Sequence, residues 1–185
     1  MTRSTFWRPF ALTSMLVLPL FASLACSDQS GSGGNGHGEA PHVLLGKPAP
    51  AINVPLLDGG TLNLADHKGK DVVILDFWAT WCGPCIVGMP LVDQVADQYA
   101  DQNVVFYAVN VGETPEEIKP FMAKQNFDMK VALDANGKVS MDYAAEAIPQ
   151  TLIIDKNGIV QSVHIGVGAD TKAQLERDVK AALAK

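Results

Sequence analysis

Residues 72 to 78 read Val-Val-Ile-Leu-Asp-Phe-Trp, an apolar run broken by a single acid. A run of this length, rich in β-branched and aromatic side chains, predicts a strand buried on both faces. Such a strand needs covering layers above and below its sheet. Cys82-Gly83-Pro84-Cys85 follows shortly after, and Ile86 to Ala100 has the spacing of a helix. The two cysteines therefore stand where a strand ends and a helix begins. There Cys82 meets the positive end of the helix dipole and the free N–H groups of the first turn. Both favour a thiolate, and in such motifs the thiol pKa falls from ~8.5 into the range ~3.5–7.5. A thiolate attacks disulfides, and a second thiol one helical turn away completes the exchange.

The chain has 185 residues, enough for one domain with appendages. At 48% hydrophobic and 18% charged it has a globular composition. A net charge of -6 argues against nucleic acid as a partner. No internal repeat and no phosphate-binding glycine loop is present, and no cofactor is expected. His37, His42, His67 and His164 are scattered without metal-ligand spacing, so no metal site is expected. The first two lie in or beside a linker, and the other two are read as surface residues.

Arg3 and Arg8 precede an uncharged run of 16 residues, Phe10 to Ala25, interrupted by Pro19. A membrane span takes ~20 residues, so this run is short for one. A basic start, an apolar middle and small residues before a cut describe an export signal over residues 1–25. Ser23-Leu24-Ala25-Cys26 resembles a bacterial lipobox, with Ser23 where leucine is commonest. The resemblance implies cleavage before Cys26 and lipidation of that cysteine. Residues 26–42, with Gly31-Ser32-Gly33-Gly34-Asn35-Gly36, form a flexible tether that cannot bury apolar area. A Gly/Ser coil of about 14 residues reaches about 20 Å, which holds a domain near the membrane. The acidic balance gives no attraction to anionic lipid, so the anchor is the lipid itself.

Three cysteines are an odd number. With Cys26 lipidated, Cys82 and Cys85 remain as the sole pair. A disulfide closing so short a loop adds little stability. It is there to react.

The domain occupies residues 43–185. Ile52 to Leu57 is read as a short strand turned at Asp58-Gly59-Gly60, and Thr61 to His67 as irregular chain or one helical turn. Cys82 to Asp101 is the first long helix, with Leu91, Val92, Val95 and Tyr99 along one side and Pro90 as a kink. Val104 to Val111 is a second buried strand. Thr114-Pro115-Glu116-Glu117 opens a helix that runs to Gln125. Lys130 to Leu133 is read as a strand and Ser140 to Ala145 as a helix. Thr151 to Asp155 and Ile159 to His164 form a hairpin, and Thr171 to Ala184 a closing helix. The order requires parallel strands with helical crossovers, then antiparallel ones, hence a mixed sheet between helices. The cysteines lie at a strand's carboxyl end, where open α/β sheets place their sites.

Val73 to Cys85, Val-Ile-Leu-Asp-Phe-Trp-Ala-Thr-Trp-Cys-Gly-Pro-Cys, resembles the active-site segment of thioredoxins. Together with the leader, the lead-in Leu45 to Leu64 and Asn110-Val111-Gly112-Glu113, the chain from about Leu44 onwards resembles the TlpA/ResA-like extracytoplasmic thioredoxin family, in its lipoprotein form. The resemblance implies an α/β thioredoxin fold, a mixed central sheet flanked by helices. It adds an N-terminal extension and a segment inserted after the βαβ half. It also implies thiol–disulfide exchange, with Cys82 as nucleophile and Cys85 as resolving thiol. Asp76 matches the buried acid that assists proton transfer at the second cysteine. Independently, an aspartate within an apolar strand has its pKa raised by burial towards the working range. Ile148-Pro149 matches the family's cis-proline, whose preceding backbone pairs with an extended substrate segment. Trp81, Gly83 and Pro84 join them as the substrate contact surface, while Trp78 belongs to the core. Gly166 is read as a turn or close approach after the last strand.

One departure stands out. The family often has a glutamate three residues after the second cysteine, associated with reduction of apocytochrome c; here that position is Gly88. Glu113 is read as a loop charge, the alternative being a carboxylate near the site. The expected function is reduction of disulfides in extracytoplasmic, periplasmic proteins, in cytochrome c maturation or redox homeostasis. A membrane electron donor would re-reduce the pair, and the chain is read as a monomer. Gly83-Pro84 resembles the reducing thioredoxins. One alternative is a peroxidase of the peroxiredoxin type, although Thr80 precedes Cys82 by two residues instead of the three of that family's Thr-x-x-Cys. Another is a non-enzymatic module carrying metal on both thiolates and His164.

Overall fold

The computed structural model describes residues 42–185. The expectations for residues 1–41, Cys26 among them, lie outside the described residues.

The central strand is β3 (Val72–Trp78), and all of its residues are buried. It follows a small hairpin, β1 (Asn53–Pro55) and β2 (Thr61–Asn63), whose strands pair antiparallel. Thr61 to Asn63, expected to be irregular, are thus a strand. Three residues are too few to show a period of two, and only the pairing makes them β. The helical turn expected nearby is confined to Leu64–His67.

β4 (Val104–Val111) runs parallel to β3 on one side, and β6 (Gln150–Ile154) antiparallel on the other. β5 (Val131–Asp134) extends the sheet beyond β4, and β7 (Val160–Ile165) beyond β6. The strand order is β5-β4-β3-β6-β7, the mixed sheet expected.

Alternate residues of β3 supply two cores, as the strand period of two dictates. Val72, Ile74 and Trp78 pack with Met89, Val92 and Val95 of α1 (Gly83–Gln98) and with Leu175 and Val179 of α4 (Thr171–Leu183). Val73, Leu75 and Phe77 pack on the opposite face with Ile52, Leu62 and Tyr143. Each such fully buried side chain contributes about 1.5–3 kcal/mol. Asp76 falls in the first set by its parity, beneath α1.

Several helix ends differ from the sequence reading. α1 stops at Gln98, and a 3-10 turn, Ala100–Gln102, leads to Asn103 in the left-handed region at φ 62°. The helix continues through Pro90. α2 (Pro115–Gln125) opens with a capping box: the Thr114 N–H donates to Glu117 Oε2 at 2.8 Å. α3 (Lys138–Asp142) begins two residues before the expected start. The Asp134 carboxylate accepts from the N–H groups of Val139 and Ser140 at 3.0 and 2.8 Å, which starts the helix early.

The two domain histidines are half-buried, not surface residues. His67 lies between Asp71 (Nδ1 to Oδ2, 2.7 Å) and the Tyr107 hydroxyl (3.1 Å from Nε2). His164 Nε2 lies 2.9 Å from Asp178 Oδ2 of α4, but without hydrogen-bond geometry.

Candidate active site

Cys82 caps the N-terminus of α1, and Pro84 occupies its first turn. Cys82 and Cys85 are joined as a disulfide with Cα atoms 5.3 Å apart. The Cys85 N–H donates to Cys82 Sγ at 3.2 Å, so the helix end is aimed at that sulfur. No acidic side chain stands in the first turn to oppose a negative charge there. The two sulfurs are unequal. Cys82 is 5% exposed and Cys85 is sealed at 0%.

Two other segments close on the pair. Ile148-Pro149 is a cis peptide, and the Ile148 carbonyl oxygen lies 3.7 Å from Cys82 Sγ. The disulfide sulfur has no proton to donate; the reduced thiol does. Gly166, at φ 80°, turns the chain out of β7, and its N–H donates to the Pro149 carbonyl at 2.8 Å. The residue after it, Val167, packs on α1, within 3.6 Å of where a Cβ on Gly88 would stand. Trp81, Val87 and Ile165 are large exposed apolar side chains on these segments. Residues 79–92, 147–153 and 165–169 carry no charged side chain. Gly83 and Pro84 are exposed between the cysteines, and Trp78 is fully buried.

Asp76 is 1% exposed. Thr151 Oγ1 donates to its Oδ1 at 2.7 Å, while Oδ2 is buried without a partner. Burial pushes its carboxyl up to about 7, against the opposing pull of the Thr151 hydrogen bond. Thr151 is its cross-strand neighbour on β6. The sequence reading found the acid but not its partner, which lies 75 residues away along the chain.

Glu113 corrects the reading of a loop charge. It is 9% exposed. Its carboxylate accepts from the Thr80 N–H at 2.7 Å, from the Thr80 hydroxyl, and from Asn110 Nδ2 at 2.8 Å. Asn110 is a lone amide in the apolar strand β4, and the parallel register sets it beside Trp78. That register brings Glu113 under the loop before Cys82. The signals in the sequence were an isolated amide at the end of an apolar strand and the Asn110-Val111-Gly112-Glu113 segment that carries the resemblance.

A buried acid, a helix N-terminus and two unequal sulfurs suffice for thiol–disulfide exchange. The comparisons agree. Residues 45–163 match the AhpC/TSA family. The thiol-disulfide oxidoreductase ResA of Bacillus thuringiensis subsp. konkukian is 35% identical over 137 residues, covering 74% of this chain and 77% of that protein. The thioredoxin-like protein YneN of Bacillus subtilis is 34% identical over 135 residues, covering 71% and 76%. A Chlorobium tepidum crystal structure, described as a thiol:disulfide interchange protein of the DsbE kind, superposes with a TM-score of 0.70 at 34% identity, covering 75% of this chain and 97% of that one. The chain belongs to the AhpC/TSA family, and it is a thioredoxin-fold thiol–disulfide oxidoreductase of the ResA-like group.

Proposed function

We propose that the protein reduces disulfides in extracytoplasmic proteins, with Cys82 as nucleophile, Cys85 as resolving thiol and Asp76 as proton acceptor. The observation that carries this reading is the asymmetry of the pair. Cys82 keeps 5% exposure and Cys85 none, and Asp76 lies by strand parity on the face of β3 that packs against the core holding both sulfurs.

In the reduced protein the Cys82 thiolate attacks one sulfur of a substrate disulfide. The substrate S–S bond breaks, a mixed disulfide forms, and the departing substrate thiolate takes a proton. Cys85 then passes its proton to Asp76 and attacks Cys82 Sγ. The mixed disulfide breaks, the second substrate thiol leaves, and the Cys82–Cys85 disulfide remains. Two electrons have moved to the substrate. A membrane dithiol donor returns them.

The Ile148 backbone, beside the cis-Pro149, supports an extended substrate segment. Trp81, Gly83 and Pro84 offer it an uncharged contact surface. The export signal and Cys26 support an extracytoplasmic, lipid-tethered location. No helix among the described residues is long and apolar enough to cross a membrane. A peroxidase reading is weaker, because the Thr80 hydroxyl is spent on Glu113. A metal-carrier reading is weaker too, since His164 faces Asp178.

The deciding measurement is the reduction potential of the pair in the full-length protein, equilibrated in defined thiol buffers. A reductase has a value near ~-270 mV; a value near ~-120 mV means a disulfide donor and overturns the direction. Cys82→Ser abolishes insulin-disulfide reduction, and retained activity would remove Cys82 as nucleophile.

A further inference from the structure

The Glu113 carboxylate is nearly buried and has no cationic partner among the described residues. All three of its contacts are hydrogen-bond donors, two of them on Thr80. The Thr80 and Asn110 N–H groups can only donate, which suits an ionised carboxylate. Burying an anion in this way costs free energy that a neutral side chain at the same place would not cost. The local chain is shaped for it. Gly112, at φ 75°, turns the strand end back, and its N–H donates to the Asp134 carbonyl at 3.0 Å. The capping box of α2 begins at Thr114, the residue after Glu113.

Thr80 and Cys82 are two residues apart, a reach of at most ~7 Å, so the carboxylate lies within roughly 10 Å of the Cys82 backbone. Few other charges face this sulfur. Asp76 lies on the same face of β3, the first turn of α1 has no acid, and residues 147–153 and 165–169 have no charge. Glu146 is exposed on the loop before Ile148, and Asp170 is exposed beyond Ala169.

We propose that Glu113 is a positioning residue for the exchange reaction: it fixes the loop that presents Cys82, and its charge opposes the Cys82 thiolate, which keeps the pair reducing. Helix dipole and Glu113 thus pull in opposite directions. The helix end favours the thiolate, and a stabilised thiolate makes the dithiol a weaker reductant and its disulfide a stronger oxidant. A fixed negative charge behind the loop offsets part of that. At roughly 10 Å and an effective dielectric of about 20 to 40, the opposition amounts to roughly half a unit to one unit of pKa.

The proposal rests on Cys82 being the nucleophile, and one experiment separates the two. Reduced full-length protein is alkylated with iodoacetamide across pH, and mass spectrometry locates the label on Cys26, Cys82 or Cys85. Fast labelling of Cys85 instead of Cys82 would remove the nucleophile assignment. With labelling on Cys82, Glu113→Gln lowers the pKa of its alkylation profile by roughly half a unit to one unit. The equilibrium with a glutathione buffer shifts about three- to tenfold towards the dithiol, ~15–30 mV less reducing. An unchanged profile and potential in folded Glu113→Gln overturns the proposal. Thr80→Val provides the second arm, because it removes the hydroxyl donor and leaves the charge. Its Cys82 pKa holds or rises if the charge is the cause. A fall in Thr80→Val matching that in Glu113→Gln means a loosened loop, and also overturns it.

Discussion

Thr151 Oγ1 donates to Asp76 Oδ1 across 2.7 Å, while Asp76 Oδ2 faces the buried interior with no partner. One oxygen is held and the other is left to gain or lose a proton. The same contact joins β6 to β3, the two strands whose ends carry cis-Pro149 and the cysteine loop. An acid set in this way is unfavourable for the fold when ionised, and available to the chemistry near neutral pH.

Asp76 makes stability fall as pH rises. Below about pH 4 its carboxyl is neutral in both folded and unfolded chains. Between about pH 4 and its folded value of about 7, the unfolded chain releases the proton and the folded one keeps it. The native state then binds more protons, so stability declines with pH through this window and levels off above it. The loss from this group between pH 5 and pH 8 is about 3 kcal/mol. Asp76→Asn removes it. Urea unfolding of the oxidised protein at both pH values measures it, and a pH dependence unaltered in the variant would refute the assignment.

In the proposed mechanism Asp76 and Cys85 act in the second half of the exchange, so their variants separate the two steps. Cys85→Ser still attacks through Cys82 and accumulates a mixed disulfide, visible as a substrate adduct on non-reducing gels. Asp76→Asn leaves the first attack intact and slows resolution by ~10²-fold, within the usual range for one proton-transfer group. Single-turnover kinetics read both phases. Equal slowing of both would mean that Asp76 is only structural.

Trp81 is 72% exposed, which leaves it little to do for the fold. Trp81→Ala changes global stability by no more than ~0.5 kcal/mol. Reduction of a protein disulfide loses about tenfold in kcat/KM, the typical scale for an aromatic anchor. Reduction of a small organic disulfide is unaffected. A parallel loss on both substrates would place the defect at the sulfurs instead.

Gly88 sits inside α1 with an ordinary helical backbone, and a Cβ there would touch Val167 at 3.6 Å, normal van der Waals contact. Gly88→Ala therefore removes the backbone-entropy cost of a helical glycine without a clash. It raises stability by ~0.5–1 kcal/mol, seen as a higher thermal midpoint. Destabilisation would show that the space between α1 and Val167 is tighter than this contact distance implies.

The sequence by itself determined the central strand, its double-sided burial, and the helix that follows the cysteines. The reason is local: a β-branched apolar run, then a proline in the first turn, leave the backbone few choices. It also gave up Asp76, because one acid in such a run is conspicuous. Short or cap-driven elements were less legible. Thr61 to Asn63 became a strand only by pairing with β1, and α3 began early because of the Asp134 carboxylate. The parallel register of β3 and β4 set Asn110 beside Trp78 and carried Glu113 to Thr80, 33 residues away in sequence. The antiparallel register of β3 and β6 set Thr151 on Asp76. Both are distant pairings, and no local pattern in the chain encodes them. Only the tertiary structure decided which charges surround the two sulfurs.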